Sequence, residues 1–339
     1  MRLVTFRIQG PGAYTDRVGA IPAEEPRLII DLNRAHRAYL KDEKREKGAE
    51  ELASVELPSS MIGLLEGGVK SLRRGERAVE YALRRRKAKD QTQDGKAGRV
   101  AYATDEVKLL APIPFPRLIM DFMAFEKHIS NYLSLTGRTV PKEWYELPAC
   151  YKKNPGCVIG PGETVSWPRY TKTLDFELEM AIYVWKTKNA PAGEGLKSVM
   201  GFSVFNDFSA RDIQAKEMAV GLGPFKGKDF DTAGAFGPCL VTKDEVGDPQ
   251  NLKMVARVNG EVWAEGSTKE MYWKINQLVE YASMEETLHP GYVLGTGTVG
   301  GGSGVEKGRF LKPNDIVELE IQGLGVLRNV IGRQRKGSG

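Results

Sequence analysis

After residue 108 the chain breaks into short β-prone runs divided by glycine and proline, and this punctuation constrains the fold more than any other feature. Pro112, Pro114 and Pro116 interrupt an apolar stretch. The clearest runs after them are TLDFELEMAIYV, SVMGFSVF, LKMVARVNGEVWAEG, GYVLGTGTV and DIVELEIQGLGVLRNVI. This portion reads as mostly β structure, with MYWKINQLVEYASM as its clearest helix. Asn259-Gly260 between β-prone flanks predicts a two-residue hairpin. The first hundred residues read differently. LVTFRI, RVGAI and RLIIDL are β-prone, and Asp31 then stands where it would cap a helix over LNRAHRAYLKDE. Ser59 or Ser60 would cap another, and Val69, Leu72, Val79 and Leu83 form the buried stripe of a longer helix. The polar segment 89–99 reads as an exposed loop. The expectation is a small α+β module over residues 1–108, followed by a catalytic domain over 109–339, in a mixed α/β, β-rich chain.

Composition narrows the class. A chain of 339 residues can bury a core without disulfides or a structural metal. No run of eighteen apolar residues and no signal-peptide core is present, so neither a membrane partner nor export is expected. Cys150, Cys157 and Cys239 form no Cys-x-x-Cys pair, which argues against a thiolate zinc site and suits a reducing cytoplasm. The net charge of +5 is local: residues 70–99 hold eleven basic and four acidic residues, and the remainder is slightly acidic. The cluster around Arg84, Arg85 and Arg86 has only Tyr81 as an aromatic neighbour. It reads as a solvated helix face, with no nucleic-acid partner expected.

The chemistry concentrates in acidic strand ends. In TLDFELEMAIYV, Leu174, Phe176, Leu178 and Met180 alternate with Asp175, Glu177 and Glu179, which places three carboxylates on one strand face. Such a face needs protons or a cation, and hard oxygen ligands suit Mg²⁺, Mn²⁺ or Ca²⁺; a solvent-facing acidic stripe is the alternative. Asp121 and Asp207 each end an apolar run, and His128 follows Asp121 by seven residues. His36 and His289, the other two histidines, lie in segments that read as structural or surface.

Together, Asp121 to His128, Asp175-Phe-Glu177-Leu-Glu179, NDFSARDIQ from Asn206, GPFKGKDFDT from Gly223 and Gly297-Thr298 resemble the fumarylacetoacetate hydrolase family over roughly residues 105 to 330. The resemblance implies a β-roll or sandwich catalytic domain, a homodimer and a divalent ion, Mg²⁺ or else Mn²⁺ or Ca²⁺. It makes Asp121, Glu177, Glu179 and Asp207 the metal ligands and His128 the base, with Lys228 and Thr232 beside the metal. Arg211 and Gln214 would orient substrate oxygens, while Tyr151, Lys153, Thr232 and Thr298 would contact the substrate. For the group that orients His128, the vertebrate hydrolase pattern points to Glu318, with Glu126 as the other candidate. Acylpyruvase relatives carry a glutamate three residues after the histidine, where this chain has Asn131.

The implied activity is hydrolysis of a carbon–carbon bond in a 1,3-diketo acid, such as an acylpyruvate or fumarylpyruvate-like substrate. The acid at Asp121 favours it, because acylpyruvase and oxaloacetate-decarboxylating relatives lack one there. The same enolate chemistry would also serve a 2-oxo acid decarboxylase, hydratase, isomerase or tautomerase. A silent binding protein is the alternative from another class, and the intact set of acidic and basic residues speaks against it. Met123 and Met218 stand where the vertebrate enzyme holds its substrate with tyrosines. Methionines there would tolerate an apolar or aromatic tail, and Lys152-Lys153 would receive a distal carboxylate.

Overall fold

The computed structural model describes residues 1–10, 13–88 and 99–334. The segment expected as an exposed loop lies outside the described residues apart from Arg99, as does the tail from Lys336. The architecture is mixed α/β and rich in strands, as the punctuation predicts. One twelve-stranded sheet runs in the order Ala101–Ala103, Leu28–Asp31, Ala13–Ile21, Arg2–Gly10, Gly234–Thr242, Val199–Asp207, Leu178–Val184, Tyr292–Gly295, Leu118–Phe122 and Cys150–Lys153. Two short strands join it from the side, at Lys108–Leu109 and Val158–Ile159. A second sheet of five strands follows the order Glu261–Ser267, Lys253–Val258, Ile316–Ile321, Gly325–Ile331 and Thr164–Val165. At its first hairpin Asn259 and Gly260 take φ of 53° and 81°, the left-handed pair that a two-residue turn needs.

The expected boundary at residue 108 has no counterpart in the hydrogen bonding. Arg2 and Leu3 pair with Val241 and Leu240, so the N-terminal hairpin extends the large sheet. Leu3, Val18 and Ile30 share one core cluster with Ala181, Tyr183 and Phe205. Four helices, Leu32–Asp42, Ala49–Glu56, Met61–Glu66 and Gly68–Lys87, belong to this N-terminal part. The Asp31 carboxylate accepts from the Arg34 amide and Ser60 Oγ from the Gly63 amide, so both expected caps form.

The strand Leu178–Val184 is buried along its whole length because both of its faces are covered. Leu178, Met180, Ile182 and Val184 join the cluster that contains Val317, Leu319 and Ile321 of the second sheet. Ala181 and Tyr183 face the cluster of the N-terminal helices instead. The period of two thus sorts the side chains into two cores, and Glu179 takes the same parity as Ala181 and Tyr183 at the start of the strand. Among the described residues, no helix is long and apolar enough to cross a membrane.

The basic helix face is compensated locally: Arg84 pairs with Glu43, Arg85 with Asp42, and Arg86 with Glu25 at 3.4 Å. Exposed pairs of this kind are worth about 0–1 kcal/mol each. Replacing all three arginines by glutamine is expected to leave turnover unchanged and to lower the melting temperature by only a few degrees. A turnover loss above about threefold in a steady-state assay would show that this face serves the site.

Candidate active site

Strand ends converge to build the site. Asp121 ends Leu118–Phe122 opposite Gly295 in a parallel pair, and Asp207 ends Val199–Asp207. Glu179 stands near the start of Leu178–Val184, opposite Phe205. Gly295 is a necessity of this packing, because a Cβ there would lie 2.3 Å from Asp121 Oδ1. Asp121, Glu179 and Asp207 are buried and each offers an oxygen within 4.8 Å of the others. Asp121 Oδ1 is buried without a hydrogen-bond partner. Buried polar atoms of this kind ordinarily find one.

Burial pushes the Asp121 carboxyl well above its ordinary value, and the charge of Asp207 adds to the rise. Burial does the same to Glu179, reinforced by the charges of Asp121 and Glu177. Burial also acts against Asp207, but Lys153 and Lys228 outweigh it and hold that carboxyl below its ordinary value. Three hard oxygen donors, one of them with an orphaned oxygen, fit a divalent cation of the Mg²⁺, Mn²⁺ or Ca²⁺ type.

Glu177, expected as a ligand, stands outside this three-carboxylate group. The strand breaks between Asp175 and Leu178, and Glu177 makes only an isolated bridge to Ser303. Its Oε1 lies 2.7 Å from Arg211 Nη2 and 3.8 Å from His128 Nε2, while Oε2 accepts from Lys228 Nζ at 2.5 Å. Burial opposes its ionisation, yet Arg211, Lys228 and His128 prevail and hold it below its ordinary value. Asp175 anchors the wall: it accepts from Arg211 Nε at 2.8 Å, from the Gly304 amide at 2.8 Å and from the Val305 amide at 3.0 Å. Arg211 opens the helix Arg211–Val220, and its Nη1 donates to Gln214 Oε1 at 3.0 Å, one turn on.

His128 sits on the helix Glu126–Ser134, buried at the cavity wall. Its Nδ1 lies 2.9 Å from Glu306 Oε2. This corrects both expected partners. Glu318 lies in the second sheet, 3.7 Å from Arg328, and Glu126 accepts from the Tyr145 hydroxyl at 2.6 Å on the surface. Glu306 is fixed by the glycine-rich loop: Gly301 N donates to it at 2.8 Å and Ser303 Oγ at 2.8 Å. Asn131 Nδ2 donates to its other oxygen at 2.8 Å, so the residue three after the histidine steadies the glutamate from outside. The signal for Glu306 was a lone acid directly after the run GGGSGV, in a loop that already carried Thr298.

Two expected substrate contacts are displaced. Lys153 is fully buried, donates to the Lys228 carbonyl, and lies 2.9 Å from Asp207 Oδ1 and 3.8 Å from Asp229. It stands behind the acidic group, because it follows Lys152 on one strand and so points to the opposite face. Thr232 accepts from the Ser166 amide at 2.7 Å and lies away from the cavity. Tyr151 and Thr298 do line it. The Tyr151 hydroxyl donates to Asp207 Oδ2 at 2.8 Å and the Thr298 hydroxyl to Glu179 Oε1 at 3.2 Å. The Gly297 amide donates to Glu179 Oε2 at 2.9 Å, so the Gly-Thr loop cradles a carboxylate of the protein itself.

The cavity has a volume of about 230 Å³. It is lined by Asp121, Glu179, Glu177, Arg211, Lys228 and His128 together with apolar side chains that include Met123 and Met218. Its acids can hold a cation, and its imidazole, backed by a carboxylate, can move a proton.

Comparison with known proteins agrees with this construction. Over 278 residues the chain is 34% identical to the mitochondrial oxaloacetate tautomerase FAHD2A of Homo sapiens, covering 81% of this chain and 80% of that protein. Over 293 residues it is 32% identical to the oxaloacetate tautomerase YisK of Bacillus subtilis, covering 86% and 91%. The structure of a fumarylacetoacetate hydrolase from Exiguobacterium antarcticum superposes with a TM-score of 0.66 at 25% identity, covering 98% of this chain and all of that one. A maleylpyruvate hydrolase from Sphingobium, solved with manganese(II) and pyruvate, shares the fold with a TM-score of 0.67 at 21% identity, covering 99% and 100%. Residues 117–332 match the fumarylacetoacetate (FAA) hydrolase C-terminal family, and this chain belongs to it.

Proposed function

We propose that the chain is a divalent-cation-dependent enzyme that interconverts the enol and keto forms of a 2-oxo acid. The carrying observation is a single cavity lined by Asp121 and Glu179 of the three-carboxylate group and by His128, whose Nδ1 lies on Glu306. A cation held by Asp121, Glu179 and Asp207 would supply Lewis-acid polarisation of the 2-oxo oxygen. Glu306 accepts the Nδ1 proton of His128 and leaves Nε2 free to carry a proton. The proton lost from the enol oxygen passes to Nε2, and Nε2 returns it to C3, so the protein ends as it began. The charged Lys228 ammonium and the Arg211–Gln214 pair stand where negative charge gathers on oxygen. Two relatives above 30% identity named as oxaloacetate tautomerases support this reading.

Hydrolysis of a 1,3-diketo acid is the second reading. The same His128–Glu306 pair can take a proton from water, and Asp121 is present as in the larger hydrolases. The two separate by assay. With Mn²⁺ or Mg²⁺ the protein is expected to speed the loss of enol absorbance, and His128→Ala and Glu306→Gln to lower that rate by about 10²- to 10⁴-fold. Cation binding by calorimetry should persist in both variants. Solvent ¹⁸O entering a released carboxylic acid from an acylpyruvate would move the assignment to hydrolysis. Full activity in His128→Ala would remove both readings.

A further inference from the structure

Resting on the 2-oxo acid reading of this site, we infer that the substrate is a monocarboxylic 2-oxo acid with an apolar, ring-sized tail rather than a dicarboxylate.

The cavity's charge is the first ground. Asp121, Asp175, Glu177, Glu179, Asp207 and Glu306 are buried in and around it, and only Arg211, Lys153 and Lys228 oppose them. Six carboxylates against three cations still leave a negative site after a divalent cation has entered. One substrate carboxylate can be met there, and a second finds no positive charge. Arg211 and Lys228 are the only lysine or arginine among the described residues that line the cavity. Both are spent on Asp175, Glu177 and Asp207. The lysine pair that could have met a distal carboxylate does not reach it: Lys153 lies behind Asp207, and Lys152 is on the surface, 3.6 Å from Glu286. An unpaired carboxylate enclosed in such a place loses its hydration without compensation.

The second ground is the apolar lining. Beside its charged groups the cavity is lined by Met123, Ile129, Cys150, Met218 and Pro224. The apolar character continues outward past the end of the helix Arg211–Val220. Val220 is 81% exposed, Leu222 92% and Phe225 59%, flanking the Gly223-Pro224 segment that lines the cavity. A ring or branched chain has apolar partners here at every step, and flexible methionines adapt to its shape.

The test compares phenylpyruvate with oxaloacetate, both presented as enols to the Mn²⁺-loaded protein. Enol loss is followed by absorbance, and the melting temperature is measured with each ligand present. The expected result is a kcat/KM at least about tenfold higher for phenylpyruvate, the scale on which an apolar pocket discriminates, together with a larger rise in melting temperature. Met218→Arg, on a partly exposed helix position, should shift the ratio of the two kcat/KM values toward oxaloacetate by about tenfold. Met218→Leu should leave it. Equal or better turnover of oxaloacetate by the parent protein overturns the inference. If neither acid is turned over, the tautomerase reading fails while the melting temperatures still judge the tail. A larger rise with phenylpyruvate upholds it, and equal, reversed or absent rises overturn it.

Discussion

Glu179→Gln is expected to abolish the rise in melting temperature that Mn²⁺ or Mg²⁺ produces in the parent protein, and to cut turnover at least about a thousandfold. The carboxylate lies in the three-carboxylate group and among the described residues accepts from Gly297 and Thr298, neutral donors that do not compensate a charge. The amide removes that charge and puts a donor where an acceptor is needed. Lewis-acid polarisation is worth several kcal/mol, and each 1.36 kcal/mol is about a factor of ten in rate. The cation effect should depend on pH with a definite sign. Burial raises the Asp121 and Glu179 carboxyls, so without a cation the folded protein keeps a proton there to higher pH than the unfolded chain does. That contribution to stability is present at low pH and is lost as pH rises through the raised values. A cation must displace the same proton, so its affinity and the melting-temperature gain should grow with pH across that window. Calorimetry in buffers of different ionisation enthalpy would count the protons released. A cation affinity unchanged in Glu179→Gln would remove the acidic group from the metal assignment.

Lys153→Met is expected to destabilise the cation-free protein by about 3–5 kcal/mol, the cost of stripping one partner from a buried ion pair. Its ammonium is fully buried beside Asp207 and within 3.8 Å of Asp229. A purely mechanical role would give a smaller loss, since methionine keeps most of the volume. The double variant Lys153→Met, Asp207→Asn should recover a large part of the stability but none of the activity, because the charge left unpaired by the first change is removed by the second. Denaturant unfolding of the four proteins measures the coupling. A single-variant loss below about 1 kcal/mol, or losses that simply add, would show that Lys153 only fills space.

Several features were legible in the sequence because they depend on near neighbours. The alternation in TLDFELEMAIYV announced a strand with two different faces, and Leu178, Met180 and Ile182 do share one core while Ala181 and Tyr183 share the other. Asn259-Gly260 announced a hairpin, and Asp31 a helix start, since each supplies its own backbone geometry or hydrogen bond. Asp121 and Asp207 stand at the ends of apolar runs, where strands stop and side chains can converge, while Glu179 shows in the alternation of its strand and His128 in its spacing seven residues after Asp121.

What the chain could not disclose locally was who stands across from whom. Period two says which face a residue takes but not what covers that face. Asp175, Glu177 and Glu179 therefore looked alike in sequence, yet one anchors Arg211, one is shared by Arg211 and Lys228, and one joins the acidic group. Glu306 reaches His128 across 178 positions of chain, through a loop whose course depends on amides donated at its own glycines. Of two adjacent lysines, only strand pairing decides that Lys153 turns inward and Lys152 outward. The N-terminal hairpin likewise joined the large sheet through Arg2 and Leu3 because an edge at Gly234–Thr242 was open to it. The sequence by itself determined the strands, their two faces and the acidic, imidazole-bearing chemistry, all set by neighbouring residues. Tertiary structure alone decided the partners, because ion pairs and hydrogen bonds in a buried site are fixed by contacts between segments that the chain keeps far apart.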